Sequence, residues 1–399
     1  MNKKKTTRMN ILYGMLQGGY WMHYCTALSY VSVVMLSKGY SNAEIGIILA
    51  IGNAISIFVQ AGIAKFADKS KKVALTSILM TAYTLAAVLF GVVIFEKQES
   101  ILLTVAIVLL AIVASATQGL CNALCYRLEN KEVKMNFGAS RALGSALFAI
   151  VSLVIGNLAE KYNPNIISVF GFFICIYLVV VLLVIALNAD TRSKAADVIE
   201  EKKENIFLFI KRYKLYFVLL IGVFLFYMSH SFINNFFFQV LENVGGTSAD
   251  MGGVLCFAAV TELLPMVFYN KLEKKFGNIT LFFVSGVFFL VKGFLTFIAW
   301  NVAMVYVATF FQMLSFAVFT PAAVTFVNKL MDEKEAVTGQ AMLMISVSLA
   351  FLVASMTGGI LIDGPGVKAM LLVGVITGVI GVCIAGFALR MFAKKAKTK

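Results

Sequence analysis

Tyr227-Met-Ser-His230-Ser-Phe-Ile-Asn234-Asn235-Phe-Phe-Phe-Gln-Val-Leu-Glu242-Asn-Val-Gly245-Gly246-Thr247-Ser-Ala-Asp250-Met-Gly-Gly-Val-Leu-Cys256-Phe-Ala-Ala-Val-Thr261-Glu262-Leu-Leu-Pro265 decides how the chain is read. Two long apolar segments flank a short Gly-rich joint, Gly245-Gly246. The first segment holds His230, Asn234 and Asn235. The second holds Glu262 among apolar and small neighbours, Thr261 apart. An ionisable group inside a membrane span costs about 2.5–3.5 kcal/mol on insertion scales and marks function by default. The structural alternative is that Glu262 pairs with a Lys or Arg and only ties helices together. Tyr227, His230 and Asn234 follow i, i+3, i+7 and so share one helix face.

Composition extends this reading to the whole chain. Of 399 residues, 60% are hydrophobic and 14% charged, more apolar surface than a soluble domain of this length can hide. Apolar runs of about 20 residues recur throughout, each able to cross a hydrocarbon core of roughly 30 Å. Only helices and closed barrels satisfy their backbone there, and these runs are too long and too uniform for barrel strands. The chain is expected to be an all-α, multi-pass membrane protein. The net charge of +14 does not imply a nucleic-acid partner, because the basic residues sit in short loops between spans. The six cysteines lie inside apolar runs and form no CxxC pair. They read as free thiols, with no metal site, cofactor or disulfide framework. Met1–Arg8 is basic, but the run after it is a full span without an A-x-A site, so no cleavable signal peptide is expected.

Hydropathy divides the chain into twelve spans, over 10–37, 42–64, 73–95, 101–126, 138–159, 165–188, 215–241, 249–270, 279–300, 302–328, 338–362 and 367–391. With the N-terminus on one side, 28 Lys and Arg residues fall on that side and 4 on the other. This asymmetry predicts that both termini are cytoplasmic. The polar stretch from Asp190 to Lys214 reads as a cytoplasmic linker carrying a surface helix or no regular structure. The predicted domains are an N-terminal six-helix bundle (1–188), the linker (189–214) and a C-terminal six-helix bundle (215–399).

The two halves repeat. Ser41-Asn-Ala-Glu-Ile-Gly46 and Thr247-Ser-Ala-Asp-Met-Gly252 match at an offset of 206. Asp68-Lys69 and Glu273-Lys274 match at 205, Gly138 and Gly339 at 201, and His23 and His230 at 207. Four ordered matches point to duplication. A parallel repeat of this kind is a transporter architecture with its site at the repeat interface.

Polar residues within the spans are the candidate substrate ligands. Span four offers Gln118 and Asn122 on one face with Ser115. Span five offers Arg141 and Ser145 on a stripe with Phe148 and Ser152. Span one offers Gln17, Trp21 and Tyr24, span seven Asn234 and Asn235, span nine Lys292, and span ten Gln312 and Ser315. Interhelical hydrogen bonding is the plainer account of each residue alone. Arg141 reads either as a positive residue at the cytoplasmic mouth or as a cavity residue. Arg141 and Lys292 against Glu262 leave one extra positive charge, which suits a substrate with a carboxylate or many hydroxyls. Pro265 and Pro321 are candidate kinks, and Trp300 a candidate interface anchor.

These residues resemble the major facilitator superfamily across the whole chain. The turns at Asp68-Lys69 and Glu273-Lys274 are similar to its cytoplasmic gate motif. The first copy has Ala64 where a Gly is usual, and the second, with Gly277, is closer. Within the superfamily the chain most resembles the phenylpropionate permease and lactose permease group of proton symporters. The resemblance rests on Phe137-Gly138-Ala-Ser-Arg141-Ala-Leu-Gly144-Ser145, Ser229-His230, Phe236 and Glu262. It departs from that group at Ser315, where relatives carry a His. It departs again at Lys292, where an Arg is common, and in lacking acids in spans four and ten. The resemblance implies two pseudo-symmetric six-helix bundles, proton coupling at Glu262 with help from His230, and Arg141 within the cavity.

The function expected is a secondary active transporter and not an enzyme, since no catalytic constellation is present. It is read as a proton-coupled symporter importing a sugar, nucleoside or small aromatic acid across the cell membrane, working as a monomer by rocking of its halves. One alternative is a proton-coupled efflux antiporter of the same fold, which the lack of a Gly-Pro-rich signature in span five disfavours. The other is a non-transporting membrane sensor or scaffold, which would not need Glu262.

Overall fold

The second span of each half opens with the same reciprocal cap, which explains the repeat in the sequence. Ser41 Oγ accepts from the Glu44 backbone at 3.3 Å, and Glu44 Oε2 accepts from the Ser41 backbone at 2.8 Å. Thr247 and Asp250 make the same pair at 3.4 and 2.9 Å. Each cap satisfies two amide donors that a helix start otherwise leaves open. Two residues ahead of each cap stands a glycine in the left-handed region, Gly39 at φ 99° and Gly245 at φ 79°. A side chain would strain the turn at either position.

The structure, a computed structural model, describes residues 3–70, 72–129, 133–192 and 206–397. Among them every regular element is helical. The first six spans are α1 (Lys3–Tyr24) continued by a π turn (Cys25–Ser29) and α2 (Val31–Ser37), then α3 (Asn42–Lys69), α4 (Leu75–Phe95), α5 (Ile101–Leu128), α6 (Phe137–Lys161) and α7 (Ile166–Asn188). A short α8 (Ile206–Arg212) follows; positions 193–205 of the expected linker lie outside the described residues. The second six are α9 (Lys214–Asn235) with α10 (Phe237–Glu242), α11 (Ser248–Phe276), α12 (Asn278–Ile298), α13 (Val302–Phe310) with α14 (Phe316–Leu330), α15 (Glu333–Asp363) and α16 (Val367–Lys397). Eleven helical segments among the described residues are long and apolar enough to cross a membrane.

The chain divides into two compact units. One holds 1–200 with Met251–Cys256, the other 201–250 with 257–399. Inside the first, α1 packs on α6 and α7, and α4 on α7. Inside the second, α9 packs on α15 and α16, and α12 on α16. The pairing is the same when the helices are matched through the repeat. The core of the second unit is an aromatic layer, with Phe226 stacked on Phe289 and edge-on to Phe319. Such contacts add about 0.5–1.5 kcal/mol each beyond the area they bury.

Three spans depart from the single runs that hydropathy predicts, and span seven does so by a break at Phe236 between α9 and α10. Span one is interrupted at Cys25–Ser29, where Thr26 Oγ1 donates to the His23 carbonyl at 2.9 Å and competes with the helical ladder. The wider turn sets Tyr30 so that its hydroxyl reaches the Ser152 carbonyl on α6, at 2.9 Å. Span ten breaks between α13 and α14, through a 3-10 turn at Phe311–Met313. Pro321 is not at this break but inside α14, and Pro265 lies within a continuous α11. The break is held instead by Ser315 Oγ donating to the Gln312 carbonyl at 3.3 Å, and by Phe311 stacked on Phe288.

Candidate functional site

In the second unit, three spans contribute one polar chain. Lys292 on α12 is 2% exposed, and its ammonium donates to Gln312 Oε1. Gln312 Nε2 in turn donates to Glu262 Oε1 on α11. A buried cation needs a counter-charge, and here it is reached through an amide. The cation on one side and the carboxylate on the other fix which way that amide points. Gln312 occupies the 3-10 turn, so the break in span ten is what presents it to both neighbours.

His230 lies beside this chain on α9. It is 3% exposed, stacked on Phe316 and edge-on to Phe289 and Tyr227. Asn234, one turn on and exposed, donates to its Nε2 at 2.9 Å. With Nε2 accepting, the ring proton sits on Nδ1, which is buried without a hydrogen-bond partner. Asn235 points elsewhere. Its amide donates to Ser355 Oγ at 2.6 Å on α15, which joins two helices of the unit away from Glu262.

The first unit holds a different arrangement. The Arg141 guanidinium lies 3.9 Å from the Trp21 ring centroid and donates to Ser145 Oγ at 2.8 Å. Trp21 is flanked by Tyr24 at 5.3 Å and Phe148 at 6.5 Å between centroids. Gln17, fully buried, donates to Tyr13 OH at 2.8 Å and to Asn122 Oδ1 at 3.2 Å. The helices α1 and α5 contain no acidic residue, and α6 has one only near its far end, Glu160. Gln118 is exposed on α5, outside this cluster. The first unit thus sets Arg141 against an aromatic face and a hydroxyl, while the second links Lys292 to a carboxylate through Gln312.

The residues of the two gate-like turns each meet a base at the end of a later span. Asp68 Oδ1 accepts from Arg127 Nη2 at 3.1 Å, and Arg127 also donates to the Ala67 and Thr191 carbonyls. Glu273 Oε1 accepts from Lys329 Nζ at 2.5 Å. Lys69 and Lys274 are exposed beside them.

The chain matches the MFS_1 like family over residues 13–373. It belongs to that family. It is 24% identical over 362 residues to the uncharacterized transporter YwbF of Bacillus subtilis, covering 90% of this chain and 86% of that one. It is 25% identical over 364 residues to the maltose permease of Geobacillus stearothermophilus, covering 90% and 88%. Its fold is similar to the crystal structure of the nucleoside transporter NupG, with TM-score 0.77 at 16% identity over 98% of this chain and 99% of that one. It is also similar to a bacterial homolog of the human lysosomal transporter Spinster, with TM-score 0.72 at 14% identity over 99% of both. The protein is therefore a multi-pass membrane transporter of the MFS type.

For this MFS transporter, sequence reasoning missed three contributors. Arg127 and Lys329 read only as positive loop residues. Their offset of 202, close to that of the two acidic turns, was the available signal. Tyr13, which holds Gln17, gave none, since one tyrosine on an apolar helix looks like packing.

Proposed function

We propose that the protein is a secondary active, proton-coupled symporter that imports a small polar organic solute through the cell membrane. The observation that carries the reading is the Glu262–Gln312–Lys292 chain within three spans. A carboxyl there holds a proton when desolvated and releases it when a cation or water approaches. Glu262 is the proton-coupling group, and His230, an imidazole with one nitrogen unsatisfied beside it, assists. Movement of the Lys292 ammonium relative to Glu262 is what changes its proton affinity between states.

Substrate is bound by Arg141, Ser145, Trp21, Tyr24, Asn122 and Gln118 from the first bundle, and by Asn234, Asn235, Lys292 and Gln312 from the second. Asn235 is buried and tied to Ser355 while Asn234 is exposed on α9, which favours Asn234 over its neighbour as a group that meets solute. The excess cation suits a solute with a carboxylate or several hydroxyls. The named substrates of two similar transporters, maltose and nucleosides, are rich in hydroxyls. The working domains are the bundles 1–188 and 215–399, joined by a cytoplasmic linker and rocking about the site, with both termini cytoplasmic. Asp68 and Lys69, and Glu273 and Lys274, form the cytoplasmic gate, with Arg127 and Lys329 as their anchors. The chain acts as a monomer and resembles the phenylpropionate and lactose permease group.

Uptake by reconstituted vesicles under an imposed pH gradient, across sugars, nucleosides and aromatic acids, tests the reading. At least one solute is expected to accumulate against its gradient and to lose that accumulation when the pH gradient is collapsed. Accumulation indifferent to the pH gradient overturns the symport.

A further inference from the structure

Along the N-terminal end of α1 and the start of α6 runs an open surface groove that the transport reading does not use. It has two parts, one along α1 alone and one between α1 and α6, that share Thr7 and Ile11. Lys3, Lys4 and Arg8 line the first, and Lys134 lines the second. The far wall changes character within two turns. Ile11 is 57% exposed and Leu143 42% exposed, and they face a floor at Gly14. A Cβ at Gly14 would meet Leu143 Cδ2 at 3.2 Å, so the glycine is what lets α1 and α6 approach here.

α1 carries no acidic residue, and α6 carries none before Glu160; Glu129 and Glu132 precede Lys134 in sequence. The shape of the groove is fixed by Asn10, whose amide donates to the Lys134 carbonyl at 2.9 Å and whose Oδ1 accepts from the Asn136 backbone at 2.7 Å. The start of α6 is thereby pinned to α1, and Lys134 is held across from the α1 cations.

We infer that this groove binds one anionic phospholipid, its phosphate among Lys3, Lys4, Arg8 and Lys134 and one acyl chain along Ile11 and Leu143. The chemistry follows from position. The cations stand where span one leaves the hydrocarbon and its apolar residues begin one turn later, so the groove is polar at headgroup depth and apolar beneath. Basic pockets between spans at this depth recognise acidic headgroups. A free phosphate would use only the upper half and leave the exposed Ile11–Leu143 wall in water.

Native mass spectrometry of the full chain tests this, with phosphatidylglycerol and phosphatidylcholine titrated separately and glycerol 3-phosphate as the chainless anion. Saturable retention of one phosphatidylglycerol, and not of phosphatidylcholine, is expected. Affinity is expected to fall roughly fivefold per cation removed in the series Arg8→Gln, Lys134→Gln and the double variant. Thr7→Trp, which fills the shared wall without changing charge, is expected to weaken phosphatidylglycerol retention as well. Binding is read on purified protein, so any effect of the lysines on membrane orientation does not enter. Equal retention of both lipids, binding of glycerol 3-phosphate as tight as that of the lipid, or variants that retain phosphatidylglycerol like the parent overturns the assignment.

Discussion

The contact between the second and fourth spans differs between the two units. In the first, α3 approaches α5 through small residues; a Cβ at Gly52 would lie 3.2 Å from that of Ala111. In the second, α11 reaches the break between α13 and α14 through Glu262 and Gln312, and the chain continues to Lys292. One duplicated scaffold has kept its caps, its left-handed glycines and its helix pairing in both copies, while the carboxylate–amide–ammonium chain belongs to the second. A dry contact of small residues suits a rigid pair. A carboxylate, an amide and an ammonium form a contact whose strength depends on a proton. On the proposed reading the second half senses protons and the first, with Arg141 on Trp21, meets the solute.

The sharpest way to break this contrast is Glu262→Gln. The amide keeps the shape and removes the proton, so concentrative uptake is expected to disappear while solute counterflow across the vesicle membrane continues. Counterflow lost together with uptake would make Glu262 a binding residue like those of the first half. Arg141→Gln is expected to have the next largest effect. Losing a charge-assisted contact of about 1.5–3 kcal/mol raises KM roughly 10- to 150-fold. Arg141→Lys retains the charge and loses the planar contact with Trp21, so its KM should fall between the two. An unchanged KM in both would remove Arg141 from the solute site. Gln312→Leu is a smaller change. Loss of the amide bridge should lower unfolding stability in detergent by about 1–2 kcal/mol, and it should shift the pH profile of uptake, which a purely structural contact would leave in place. Smallest are the exposed pairs at the gate-like turns. Asp68→Asn and Glu273→Gln should each cost no more than about 1 kcal/mol in thermal unfolding, while changing the accessibility of a cysteine probe placed in span five.

Much of the fold could be read because the bilayer leaves few choices. Each apolar run of sufficient length must be a helix, and the matched caps at Ser41 and Thr247 announced the duplication. The interruptions in spans one and ten could not be read. Neither contains a proline or glycine at the break, and both are set by side chains returning to backbone carbonyls, at Thr26 and Ser315. The helices also run several residues past the apolar cores, as α3 does to Lys69 and α11 to Phe276, because hydropathy marks the membrane and not the end of the hydrogen-bond ladder. Glu262, Lys292, His230 and Gln312 stood out singly as polar groups in apolar runs. Their order in space did not, since spans eight, nine and ten meet through tertiary packing that no spacing encodes. The His230–Asn234 contact was legible, being one helical turn long.

The most direct test of the central claim is to record external pH as solute is added to weakly buffered vesicles held without a pH gradient. The account predicts that the medium becomes alkaline as protons enter with solute, and that Glu262→Gln vesicles admit solute with no pH change. Equal alkalinisation by the parent and the variant would contradict it.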